Sequence, residues 1–362
     1  MSELPMEIFF DILSRVPIKS ISQCRWVCKA WLYSIHHPLF IEMQHRRAME
    51  SNSHFIIVDE PRGTDSYYLI DHEGFKANAP EITKLRDLPR LSHYILFMDS
   101  CNGLLFFQEP PYLITNPITG EWILPPTSPK EDLKDILSCF GFDSTTGKYK
   151  VMHVVEINKD YAEAEVHTLG SVGWRALPDV PYTFKLMERN VFVNGAFHWI
   201  GTEPRKCTES EVIVSFELGI EEFRVSPLPP WFQKNNIFLS LFELGGCLCV
   251  RLRHCPLNNP TELWVMKRYG DQESWSKEYV FRDMECYLGD PFEPLKVMKS
   301  GKLLLTSDSN YLGYYDPKGK KGWKFDDIAL DEHLPEKRCL WQTVIHVGSL
   351  ISPQGLSRPT KR

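Results

Sequence analysis

A repeat with a period near 50 residues constrains this chain more than any other feature. Five passages run an apolar stretch into a turn and leave it through an aromatic residue: "ITNPITGEWILPP", "TLGSVGWRALP", "FELGIEEFRVSPLPP", "RYGDQESWSKEYVF" and "YYDPKGKKGWKFDDI". Their aromatic anchors, Trp122, Trp174, Phe223, Trp275 and Trp323, stand 52, 49, 52 and 48 residues apart. A step of 47 residues back from Trp122 reaches Phe75, in the similar passage "YYLIDHEGFKA". Between the anchors, apolar residues come in short runs such as "HFIIVD", "GLLFF", "NVFVNGAFHWI" and "LCVRL", bounded by Gly, Asn, Asp and Pro. Such runs read as short strands joined by turns. A unit of about 50 residues holds four of them, one blade of a propeller. Glycines before inner strands, Gly103, Gly195, Gly246 and Gly301, fit that unit. The body is therefore predicted to be an all-β, propeller-like domain of about six blades, with an irregular sandwich as the alternative. The final segment, "LWQTVIHVGSLI", has no unit of its own. It is predicted to join the first blade and close the ring.

The first fifty residues follow a helical period instead. In "LPMEIFFDILSRVP", Ile8, Phe9, Ile12, Leu13 and Val16 recur at spacings of three and four, as on one side of a helix. Pro5 suits a first turn, Glu7 suits the dipole there, and Pro17 ends the helix. A short second helix, "IKSISQC", follows. Cys24, Val27, Cys28, Trp31 and Ile35 then mark one face of a third, which Pro38 ends. Three short helices bury little apolar surface by themselves. Yet Phe9, Phe10, Trp26 and Leu32 lie on further faces. So much apolar surface on so small a bundle calls for a partner, or for packing on the rest of the chain.

The chemistry of the remaining residues narrows the function. With 41 Lys and Arg against 47 Asp and Glu, the formal charge is −6, which disfavours nucleic acid as a general partner. The basic clusters His45-Arg46-Arg47, Lys318 to Lys324 and Lys361-Arg362 read as solvated loops or tails. The ten cysteines include no C-x-x-C pair, and Cys247-x-Cys249 would point to opposite faces of a strand. Scattered thiols fit a reducing compartment. The early acids of the N-terminus argue against a signal peptide, and no window of about 18 apolar residues suits a membrane span. The expected localisation is cytoplasm and/or nucleus. None of the phosphate-binding, nucleophile-elbow or zinc-helix motifs occurs. His36-His37 reads as a helix C-terminus, with Glu42 and His45 near it, and the pairs Glu221-Glu222 and Asp326-Asp327 read as turns. No catalytic residue, cofactor or metal is expected.

With these residues in view, the N-terminus resembles the F-box. The match runs through Leu4-Pro5, Glu7, Ile12-Leu13, Arg15-Val16-Pro17, Lys19-Ser20, the stretch Arg25 to Trp31, and Pro38-Leu39-Phe40. The remainder looks like the plant F-box-associated, kelch-like domain, through "NPITGEW" and "FGFDSTTGKYKV". The resemblance implies an F-box over residues 1–45 and a target-binding propeller over 46–362. It implies a substrate-recognition subunit of an SCF-type ubiquitin ligase, bound to a Skp-type adaptor and through it to cullin. Leu4, Pro5, Ile8, Ile12, Leu13, Val16, Pro17, Ile21, Val27, Cys28 and Trp31 would form or support the docking surface. Trp26 stands where that family often has a smaller residue, and would extend the interface or pack against the propeller. The irregular segments 108–112, 201–210, 253–261 and 286–294 are candidate target contacts. A scaffold acting outside degradation, or a propeller that binds a ligand or catalyses, are the other readings.

Overall fold

The structure, a computed structural model, describes residues 5–51, 54–59, 66–71, 82–84, 98–108, 110–130, 136–158, 161–178, 180–184, 190–202, 211–232, 237–254, 260–281, 292–298, 300–307, 311–317 and 340–357. The chain divides into two units. The first comprises Met1–Pro126, Gly170–Val172 and Arg338–Arg362; the second comprises Thr127–Leu169 and Gly173–Lys337.

The first unit opens with helices α1 (Met6–Leu13), α2 (Ile18–Cys24), α3 (Lys29–Ile35) and α4 (Pro38–Ser51). Prolines set three of the four starts. Pro5 and Pro17 are the N-caps of α1 and α2, and Pro38 is the first residue of α4, positions where the missing N–H costs nothing. Pro38 thus separates two helices, and α4 runs on past residue 45. His45, Arg46 and Arg47 lie on this helix and not in a solvated loop or tail.

Two sheets follow in the same unit. The first contains β1 (His54–Asp59), β2 (Ser66–Asp71), β3 (Ile82–Lys84) and the last strand, β24 (Leu340–His346), in the order β24-β1-β2-β3. The second contains β4 (Met98–Cys101), β5 (Leu104–Phe107), β6 (Leu113–Asn116) and β7 (Glu121–Ile123), in chain order. As expected, the last segment completes the first sheet: β24 runs antiparallel to β1, with His346 opposite His54 and Thr343 opposite Ile57. Tyr67, Leu69, Met98, Leu105, Phe107 and Leu113 form one core between the two sheets. The chain then leaves β24 for the second sheet and ends its described part in α5 (Pro353–Leu356), capped by the Ser352 hydroxyl.

Among the described residues, the second unit holds four more sheets. The third has β8 (Ile136–Asp143), β9 (Lys148–Asn158), β10 (Tyr161–Thr168) and β11 (Trp174–Ala176). The fourth has β12 (Thr183–Phe184), β13 (Val191–Val193), β14 (Ala196–Thr202), β15 (Glu211–Glu217) and β16 (Glu222–Ser226). The fifth has β17 (Ile237–Leu244), β18 (Cys247–His254), β19 (Thr261–Met266) and β20 (Trp275–Phe281). The sixth has β21 (Phe292–Val297), β22 (Leu303–Ser307) and β23 (Tyr311–Tyr315). Each sheet shares a core with the next. Met152 and Val154 pack with Trp199 and Phe216, Ile200 and Ile213 with Leu248 and Val250, and Cys249 and Leu263 with Leu303 and Leu305.

The repeat seen in the sequence is the repeat of the sheets. Trp122, Trp174, Phe223 and Trp275 lie on β7, β11, β16 and β20, in each case the last strand of its sheet. Phe75 and Trp323 lie outside the described residues. Two of the anchors pack on inner strands: Trp174 stacks on His153 at 4.0 Å, and Phe223 sits 4.7 Å from Phe216. The tight turns between first strands are equally regular. Asn102-Gly103 joins β4 to β5 with φ of 49° and 78°, and Asn194-Gly195 joins β13 to β14 with 52° and 77°. Two successive positive φ values make the two-residue turn whose twist matches that of the strands.

Candidate functional site

The helical head is built around one side of α1. Phe10 and Leu13 point inward, with Ile18 and Ile21 of α2, Ile35 of α3, Phe40 of α4 and Leu350 from the end of the chain. Arg47 pins the helix from α4. Its guanidinium donates to the Asp11 carbonyl at 2.7 Å, to the Asp11 carboxylate and to the Ser14 hydroxyl. Hydrogen bonding from Arg47 is the main cause that holds the Asp11 carboxyl below its ordinary range. Arg46 pairs with Glu42 on the surface, and the His45 ring meets Asn102.

The opposite side of α1 is apolar and open. Ile8 and Ile12, four residues apart and so on one face, are exposed, Ile12 by 51%. The turn between α2 and α3 adds Trp26 and Val27, 79% and 65% exposed. Backbone hydrogen bonds from Trp26 to Gln23 and from Val27 to Cys24 hold that turn, and the Arg25 guanidinium lies 5.1 Å from the Trp26 ring centroid. Met6, Leu32, Tyr33 and Leu39 are exposed as well. These open apolar side chains lie close together on about 45 residues, a denser set than the single exposed apolar residues of an ordinary surface.

The residues expected to dock separate into three groups. Pro5, Ile8, Ile12, Pro17, Val27 and Cys28 are exposed. Val16 and Trp31 are half-buried, Trp31 standing edge-on to Phe9 at 5.5 Å. Leu13 and Ile21, 5% and 0% exposed, belong to the head's core. Leu4 lies outside the described residues. Trp26 and Tyr33, among the most open side chains of the head, were not in the expected set. Their signal in the sequence was their position off the helical stripes.

Among the described residues, the histidines at the end of α3 and the Glu221-Glu222 pair are engaged in structural contacts. His36 Nδ1 donates to the Leu32 carbonyl at 2.8 Å, closing the end of α3, and His37 packs on Phe10. Glu221 pairs with Lys150 and Arg175, and Glu222 with Arg224, so the two acids face separate cations. Asp326 and Asp327 lie outside the described residues, as does most of the loop segments 201–210, 253–261 and 286–294. In 108–112, Tyr112 is buried and stacks on Phe106 at 5.7 Å. No group of three His, Cys, Asp or Glu side chains among the described residues is placed to hold a metal ion.

Comparison with known proteins agrees with this layout. Residues 1–42 match the F-box-like family and residues 60–340 match the F-box associated beta propeller domain. The F-box protein At3g07870 of Arabidopsis thaliana is 29% identical, over 97% of this chain and 92% of its own. The F-box protein CPR1 of the same plant is 25% identical, over 89% and 84%. The F-box/kelch-repeat protein At3g23880, also from Arabidopsis thaliana, is 24% identical, over 76% and 78%. The helical head with its open apolar face, the sheets with their period near 50 residues and these matches together place the chain in the family of F-box proteins with an F-box associated beta propeller domain.

Proposed function

We propose that this protein is a substrate-recognition subunit of an SCF-type ubiquitin ligase, acting in the cytoplasm and/or nucleus. The F-box head docks on a Skp-type adaptor, and through it on cullin. The propeller holds a target protein. The chain supplies no reacting group; it raises the rate of ubiquitin transfer by holding a target lysine near the charged carrier. The observation that carries this reading is the open apolar face of Ile8, Ile12, Trp26 and Val27, on a head whose sequence matches the F-box. An apolar helical face centred on an aromatic residue is what a helix-recognising partner buries.

The test is a binding measurement with purified Skp-type adaptor. The double variant Ile12→Asp, Val27→Asp changes only exposed positions, so the fold survives and binding is expected to fall at least about a hundredfold. Undiminished binding by that variant, or none by the unaltered chain, would overturn the proposal. Binding without cullin-dependent loss of any partner would favour the scaffold reading.

A further inference from the structure

The "NPITGEW" passage contains a residue that docking does not use. Asn116 ends β6 and is fully buried. Its side-chain oxygen accepts from the backbone N–H of Ile118 at 2.8 Å and of Thr119 at 3.3 Å, which shapes the turn into β7. Its side-chain nitrogen points the other way. It donates to the carbonyls of Ser349 at 3.0 Å and Ile351 at 2.8 Å. A single amide therefore satisfies its own turn and captures a segment from the far end of the chain.

The captured segment is also held sterically. A Cβ on Gly103 would lie 2.3 Å from the Ser349 hydroxyl, so only glycine lets Ser349 reach the β4–β5 turn. Gly348 sits against Ile18 of α2 and Ile118 of the β6–β7 turn, at 3.1 and 3.3 Å from where its Cβ would be. Leu350, the next residue but one, enters the head's core beside Phe10, Leu13 and Ile21. Ser352 then bonds the Glu121 carboxylate on β7. Residues 347–352 thus touch the second sheet on one side and the head on the other. Further contacts between head and sheets among the described residues include Ile118 of the β6–β7 turn, which packs beside Leu350 on the head's core, and two polar contacts, Lys19 to Thr83 at 3.0 Å and His45 to Asn102 at 3.3 Å.

We infer that residues 347–352 form a latch that fixes the helical head to the second sheet and so sets the direction in which the head's open face is presented, with Asn116 as its positioning residue. The role in ubiquitin transfer rests on the adaptor-docking reading above: a rigid head holds a bound target at a set distance from the carrier. The latch itself does not need that reading.

The experiment measures the distance distribution between probes placed through non-canonical amino acids at Tyr33 on α3 and Leu124 after β7, both exposed, in the full chain. Asn116→Asp swaps the donor for a carboxylate that repels two carbonyls. Leu350→Ala leaves Asn116 untouched and removes the apolar half of the latch, which covers the case in which the first variant fails to fold. The unaltered chain should give one narrow distribution and each folded variant a broad one. Amide protection over 347–352 should fall about tenfold or more in Asn116→Asp, with the third sheet unchanged. Adaptor affinity should change less than about threefold, because the open face is untouched. Narrow distributions in the variants would overturn the latch. Failure of the unaltered chain to bind adaptor would leave the latch standing and remove only the docking reading.

Discussion

The side-chain amide of Asn116 donates to the carbonyl of Ile351 at 2.8 Å, across 235 positions of the chain. Both carbonyls it serves lie in the segment that follows β24, so the end of the chain is bonded where the second sheet turns toward the head. Buried amides that satisfy several backbone groups at once are expensive to remove, because each partner left behind is stranded without water.

The same contact makes two glycines of the second sheet unequal. Gly103 and Gly120 have nearly the same backbone, with φ of 78° and 73°. Nothing lies within 4 Å of a Cβ on Gly120, whereas one on Gly103 meets Ser349. Gly120→Ala should cost about 1 kcal/mol, the strain of a left-handed residue. Gly103→Ala should cost roughly 2 kcal/mol more through overpacking. Denaturant midpoints of the two variants, compared at equal slope, check this; equal losses would show that Ser349 yields freely.

Neighbouring residues of α1 should behave in opposite ways. Leu13→Asp buries a carboxylate in the head's core, a change that costs several kcal/mol. It should abolish the head's helical signal and, with it, adaptor binding. Ile12→Asp should leave the circular dichroism and the unfolding midpoint within about 0.5 kcal/mol of the unaltered chain while still removing adaptor binding. A loss of helix in Ile12→Asp would mean that its face is packed rather than open.

Lys150 offers a test in the second unit. Its ammonium lies 2.9 Å from the Asp143 carboxylate, 3.0 Å from Glu221 and 2.9 Å from the Leu218 carbonyl. Three acceptors use all three of its protons. Lys150→Met keeps the volume and strands Asp143, which is buried. The expected loss is about 3 to 5 kcal/mol in chemical denaturation of the full chain. Asp143→Asn with Lys150→Met should recover much of that, because the stranded charge is gone.

Acid should weaken the second unit in two stages. His198 is fully buried, and burial lowers its pKa to about 4 from an ordinary 6.5. Its Nδ1 donates to the Val191 carbonyl, so Nε2 accepts from the Tyr269 hydroxyl at 2.8 Å. The folded ring stays neutral where the unfolded one takes a proton. Stability is therefore lost as pH falls from 6.5 to 4, by about 3 kcal/mol. Burial acts to raise the Asp143 pKa, but Lys150 and the Thr145 and Thr146 hydrogen bonds outweigh it and bring the value down to about 2 from 3.8. That contribution, about 2 kcal/mol, is intact above pH 4 and lost as pH falls toward 2. Unfolding midpoints between pH 7 and 2 check the order. His198→Gln should flatten the first stage.

Local rules made much of this molecule legible in its sequence. The Asn-Gly pairs give tight turns wherever they occur, because few other residues accept two successive positive φ values. The aromatic anchors recur on last strands because the sheets that carry them follow a common antiparallel path, ending on an edge strand. Pro5 marks a helix start in the sequence, whereas Pro17 and Pro38 read there as helix ends and the structure starts a further helix at each, since a first turn tolerates the missing N–H. The F-box match named the helical head by its pattern. What the pattern could not do was separate Ile12 from Leu13. Both are apolar residues of α1 at helical spacing, and the helix has apolar side chains on two faces. Which face turns inward was decided by Phe40 of α4 and by Leu350, more than 300 positions away in the chain. Asn116 and Lys150 likewise read as ordinary polar residues of strands. Their roles depend on Ser349, Ile351, Leu218 and Glu221, which reach them only when distant segments pack. Periodicity is a property of neighbours along the chain, whereas burial of one particular polar group is a property of neighbours in space.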